Sequence, residues 1–110
     1  MVLDVDGDLL PLTDQGFLVD LTLWNATVAC ELARLDGIIL VAEHWEILYF
    51  IRDYYQRYKH LPNSRVFVKA VRNGLGEEKG CSRYLQALFP TGPLRAACKL
   101  AGLPKPPTCL

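Results

Sequence analysis

The chain has 110 residues, 51% of them hydrophobic and 22% charged, and its formal net charge is zero. That length holds one hydrophobic core and excludes two, and the composition is that of an ordinary globular domain. No apolar run approaches the roughly 18 residues of a membrane helix. The start, Met1 to Asp8, carries acids where an export signal needs a basic start and an apolar stretch, so a cytoplasmic protein without membrane insertion is expected.

Two further constraints come from residue placement. Four cysteines (Cys30, Cys81, Cys98, Cys109) include no Cys-x-x-Cys, and His44 and His60 are not at metal-ligand spacing from any of them. Neither a metal nor another cofactor is expected, and in a reducing compartment the thiols suggest burial or thiol chemistry rather than structural disulfides. The zero net charge hides a polarity. Residues 1–63 contain ten acids and four Lys/Arg, whereas residues 64–110 contain two acids and eight Lys/Arg. A basic half of this kind suits an acidic partner, an anionic substrate or nucleic acid.

In chain order, Val2–Val5 and Leu9–Leu12 read as strands joined at Asp6-Gly7-Asp8, with Phe17–Val19 extending the hairpin; Asp-Gly between alternating apolar residues is a strong hairpin signal. Thr13 to Gly16 is a further turn. Helical periodicity is expected from Thr22 to Leu35, with Trp24, Val28, Leu32 and Leu35 on one face, Cys30 buried near it, and Asp36-Gly37 as the stop. The longest helix is expected over Ala42–Lys59 and is the candidate central helix, its apolar face built from Trp45, Leu48, Ile51, Tyr55 and Tyr58 and widened by Ile47, Phe50 and Tyr54. Asn63 suits the cap of a helix over Ser64–Asn73, followed by a flexible glycine-rich turn over 74–80. Ser82 suits the cap of a helix over Arg83–Phe89, and Pro93 opens a last helix, Leu94–Leu100, that Gly102 ends. The expected fold is mainly α (α+β): a small orthogonal helical bundle with an N-terminal β-hairpin and a mobile C-terminal arm. Residues 1–102 form the body and residues 103–110 the arm.

The arm carries the chemistry. After Gly102 the chain reads Leu-Pro-Lys-Pro-Pro-Thr-Cys-Leu. Pro104, Pro106 and Pro107 forbid a helix and favour an extended segment reaching roughly 20–23 Å from Gly102 to Cys109. A thiol next to the terminus of such an arm suits chemistry inside a partner's cleft rather than packing. Cys98 stands eleven residues earlier, near the end of the last helix, at a spacing that permits loop closure. The pair suggests Cys109 as a sulfur-accepting nucleophile and Cys98 as a resolving thiol. Arg95, Lys99 and Lys105 are candidate supporting cations that would favour the Cys109 thiolate if the arm folds back.

The segment from Gly92 to Leu110 resembles the C-terminus of the DsrC/TusE sulfur-carrier family. The likeness extends to Glu43-His-Trp-Glu46, Arg52-Asp-Tyr-Tyr55, Lys69-Ala-Val71, Gly76-Glu-Glu-Lys-Gly80, Ser82-Arg-Tyr-Leu85 and Leu88-Phe-Pro90. The resemblance implies a helical fold with a hairpin and a mobile arm, and persulfide sulfur carried on Cys109. It implies two branches: members with that cysteine alone act in the relay that thiolates the wobble uridine of tRNA. Members with a second cysteine at the position of Cys98 work with dissimilatory sulfite reductase and a heterodisulfide-reductase-like or membrane-linked partner. Possession of both thiols points to the second branch. Pro107-Thr108 replaces the family's usual Thr-Gly and stiffens the chain just before Cys109.

No phosphate-binding glycine loop, Ser/His/Asp set or carboxylate pair is present, so the expected role is that of a monomeric carrier whose turnover is performed by sulfur-donor and acceptor proteins, sulfurtransferases among them. Two other readings stand beside it: a DNA-binding module built on helices 64–73 and 83–89, and a redox sensor in which Cys98 and Cys109 pair without carrying sulfur. The long connection and the dispersed cations argue against nucleic acid. Cys81, near a helix start, is a lesser candidate for reactivity, and His44 is expected to belong to the core face of the long helix.

Overall fold

Asp6 and Gly7 both adopt positive φ, 52° and 93°, which makes the first connection a two-residue turn whose twist matches that of its strands. The computed structural model describes residues 2–106. Strand β1 (Val2–Val5) pairs antiparallel with β2 (Asp8–Pro11), Val5 opposite Asp8. The Asp4 carboxylate accepts from the Gly7 amide at 2.9 Å. Leu3 and Val5 turn inward, and β1 packs on the first α-helix. A single bridge, Leu12 to Leu18, is all that extends the hairpin toward Phe17–Val19.

The helices are α1 (Ala26–Leu35), α2 (Ala42–Tyr58), α3 (Ser64–Leu75), α4 (Ser82–Leu88) and α5 (Pro93–Leu100), with a 3-10 turn at Leu21–Leu23. The mainly α fold with an N-terminal hairpin is therefore as expected, and four local expectations are corrected. The helix expected from Thr22 breaks in two, because Asp20 caps the 3-10 turn and the Asn25 side chain accepts from Val28 N–H to start α1 afresh. Within α1 the buried stripe is Val28, Ala29, Leu32 and Ala33; Cys30 projects to the other side and is exposed, and so is Leu35. Helix α3 continues through Gly74 to Leu75 and ends at Gly76, whose φ is 110°; the helical Gly74 gives room to α2, since a Cβ there would stand 2.6 Å from the Phe50 ring. Finally, α4 is capped by Cys81, whose Sγ accepts from Tyr84 N–H at 3.4 Å, rather than by Ser82.

The centre of the molecule is α5, not the longer α2. This eight-residue helix packs against α1, α2, α3 and α4, and Leu94, Ala96, Ala97, Cys98 and Leu100 are all buried. Two adjacent alanines keep its girth small, so surrounding helices can close in from several sides. Phe17, Phe67, Phe89, Ile47, Leu48 and Ile51 fill the space around it. His44 joins two of those helices: its Nδ1 accepts from Val41 N–H at the start of α2, so its Nε2 carries the proton and donates to the Leu88 carbonyl at the end of α4, 2.8 Å away. As expected, His44 serves the core. Among the described residues no helix is long and apolar enough to cross a membrane.

Because α5 has no room around it, Ala97→Leu is expected to destabilise the fold by about 2–3 kcal/mol through overpacking. Leu35→Ala, at a position 57% exposed, is expected to cost within about 0.5 kcal/mol. Urea unfolding of the two variants checks both values.

Candidate functional site

Helix α5 ends where the arm begins, and the carbonyls of its last three residues and of the cap residue Ala101 all have partners. Gly102, at φ 72°, is the left-handed residue that closes the helix. Leu103 N–H donates to the Cys98 carbonyl at 2.9 Å and Gly102 N–H to that of Lys99 at 3.2 Å. Two side chains complete the set: the Trp24 indole N–H donates to Leu100 O at 2.9 Å, and Arg52 Nη1 donates to Ala101 O at 2.6 Å. The Arg52 guanidinium also lies over the Trp24 ring, 4.1 Å from its centroid, where the ring's π-face attracts a cation. Partial burial holds the Arg52 guanidinium below its ordinary range, and it stays charged.

Trp24 has a second effect. A Cβ on Gly102 would come within 2.4 Å of its ring, so the residue is fixed both by its backbone angle and by this wall. Gly102 thus sets one direction of departure for the arm. Leu103 is 3% exposed and Pro106 is buried, so the described part of the arm lies on the body. With Pro106 seated, the three residues from there to position 109 add at most about 10 Å of reach; the full 20–23 Å requires 103–106 to lift away.

Cys98 is fully buried in the last turn of α5. Burial pushes its thiol up to about 12, and desolvation is the whole cause, with no cation offsetting it. Cys109 lies outside the described residues, as do Pro107 and Thr108. The three candidate supporting cations are dispersed. Lys99 is committed to Asp36, at 2.9 Å and with both side chains 20% exposed, which ties α5 to the end of α1. Arg95 is exposed, its guanidinium 6.0 Å from the Phe17 ring centroid. Lys105 is exposed beside Pro104 on the wall of an apolar groove of about 550 Å³ that Phe17, Leu18 and Leu21 also line. Cys81 is half-buried in its capping role, its thiol also 3.7 Å from the Glu78 carbonyl.

Trp24 and Arg52 were not singled out as site residues by the sequence reading. Their signals were weak: an arginine set between Ile51 and the tyrosines of an apolar stripe, and a tryptophan immediately before a helix-capping asparagine. What unites them is a helix end 49 and 76 residues away, which no local pattern encodes.

The chain matches known proteins over nearly its whole length. The family described as "DsrC like protein" matches residues 4–110. The chain is 47% identical to the sulfurtransferase TusE homolog of Haemophilus influenzae over 109 residues, 99% of this chain and 100% of that one. It is 45% identical to Allochromatium vinosum DsrC, whose NMR structure superposes with a TM-score of 0.91 over the whole of both chains. It is 37% identical to DsrC of Archaeoglobus fulgidus, the gamma-subunit of dissimilatory sulfite reductase in its oxidized form, with a TM-score of 0.84 and again full coverage of both chains.

The buried thiol has a pH signature. Above about 9 the unfolded chain releases the Cys98 proton while the folded chain keeps it until about 12. The unfolded state therefore binds fewer protons, and stability falls as pH rises through that window, by up to about 1.4 kcal/mol per unit from this group. Cys98→Ala is expected to flatten that part of the profile, which urea unfolding at pH 8 to 10.5 measures; identical slopes in the two proteins would contradict the burial of the thiol.

Proposed function

We propose that this chain, which belongs to the DsrC-like family of sulfur carriers, takes up sulfur as a persulfide on Cys109 and passes it along a relay of sulfurtransferases that ends in thiolation of the tRNA wobble uridine. The transfer is an exchange at sulfur. The Cys109 thiolate attacks the outer sulfur of a donor persulfide, the donor's S–S bond breaks, and the donor leaves as a thiolate. No net oxidation occurs, so one thiol is enough and no cofactor is called for.

The observation that carries this reading is the burial of Cys98. A relay carrier must hand its sulfur on intact, and a nearby thiolate would attack the persulfide and release sulfide. A thiol with no exposure, pushed up to about 12, is not a nucleophile at neutral pH. The shared sequence with the sulfurtransferase TusE homolog supports the same branch.

A second reading, partnership with dissimilatory sulfite reductase, is favoured by the likeness to the sulfite reductase gamma-subunit and by the presence of both cysteines. It requires Cys98 to leave the core, attack the inner sulfur of the Cys109 persulfide and form a disulfide as sulfide departs. The two readings give opposite products. With a protein persulfide donor, intact-mass spectrometry is expected to find one added sulfur atom on the wild type and on Cys98→Ala, to within about twofold of each other, and none above background on Cys109→Ser. Loading of Cys109→Ser at the wild-type level would overturn the assignment of the carrier thiol. A Cys98–Cys109 disulfide with released sulfide as the main product would favour the sulfite reductase branch.

A further inference from the structure

We propose that Arg52, acting through the end of α5, is the positioning residue that keeps Cys98 buried and closed off, and fixes where the chain leaves the helix at Gly102. The inference rests on the carrier reading for its purpose, which is to hold sulfur on a single thiol. Its physical basis is independent of that reading.

Cys98 occupies the last turn of α5, and helix ends are where fraying begins because their carbonyls have no partner in the next turn. Here the turn is held by a chain of contacts that converge on Arg52. Its Nη1 holds Ala101 O. Its guanidinium plane lies over Trp24, which holds Leu100 O and stands against Gly102. Gly102 places Leu103, whose N–H holds the carbonyl of Cys98 itself. Remove the guanidinium, and Ala101 O loses its donor while the Trp24 ring loses the group packed on its face. The turn spanning 98–103 is then free to open locally without disturbing the hairpin or the core around Phe67 and Phe89.

The gate is within reach of a partner. Arg52 is half-buried and borders a groove of about 320 Å³ with Leu103 on one wall and Thr22, Tyr55, Gln56 and Lys59 around it. A residue at that boundary can be held in the resting protein and released on docking. Lysine is a poor substitute, since one ammonium cannot both reach a carbonyl and lie as a plane on an indole.

The test is pulse alkylation of the full-length chain with iodoacetamide, each cysteine followed by peptide mass spectrometry and exposed Cys30 serving as the internal reference. In the wild type Cys98 is expected to react at least about 100-fold more slowly than Cys30. Arg52→Gln is expected to speed Cys98 by about tenfold or more, with the Cys30 rate unchanged, and the gain is expected to persist unaltered in low urea, as local opening exposes little surface. Arg52→Lys should recover part of the protection. Trp24→Phe, which keeps a ring and removes the indole donor, should act in the same direction as Arg52→Gln and serves if that variant does not fold. An unchanged Cys98 rate in Arg52→Gln and Trp24→Phe, or a gain that tracks global unfolding across the urea series, would overturn the proposal. Failure of Cys109 to load sulfur would sink the carrier reading and leave these rates to be judged separately.

Discussion

The closed end of α5 is the constraint on which the rest depends. A short helix at the centre of a small domain leaves its terminal backbone groups without partners in the helix, and burying any of its last carbonyls unpaired would cost about 1–3 kcal/mol each. The chain supplies two donors from its own continuation, Gly102 and Leu103, and two from distant elements, Trp24 and Arg52. This solution satisfies the carbonyls, buries the thiol of Cys98 and fixes the exit of the arm in a single set of contacts. The same contacts thus decide the exposure of the second thiol and the point at which the chain leaves the helix.

Around that centre the fold is an arrangement for approach. Gly16 lies so close to the Lys99 side chain that a Cβ would stand 2.9 Å from its Cε, and Lys99 in turn pairs with Asp36. Gly80 is pressed against the backbone of Arg72, whose Nε donates to the Gly80 carbonyl at 3.1 Å, and Lys79 pairs with Glu46 at 2.6 Å. These contacts hold the loops that join the helices against the body. Of the other cysteines, Cys30 lies exposed on the outer side of α1 and Cys81 caps α4.

Much of this was legible in the chain because it is local. The Asp6-Gly7 turn, the Asn63 cap, Pro93 at the start of α5 and Gly102 at its end each follow from the conformational needs of one or two residues. What the sequence did not reveal is long-range. Length and periodicity made α2 the candidate centre, whereas α5 takes that place because two alanines let other helices surround it. The spacing of Cys98 from Cys109 is plain in the chain, but its burial is not, because it follows from α5 packing against four other helices. Trp24 read as one face of a helix that Asn25 in fact interrupts, and its task lies 76 residues away.

The central claim is that the turn from Cys98 to Leu103 is closed and closes off the thiol. Native-state hydrogen exchange at the Leu103 amide tests it most directly, since that N–H is the donor to the Cys98 carbonyl. The account predicts protection of at least about 100-fold over an unstructured amide, falling by about tenfold or more in Arg52→Gln while amides in α3 keep theirs. Exchange of Leu103 at the rate of an unstructured amide in the wild type would contradict it.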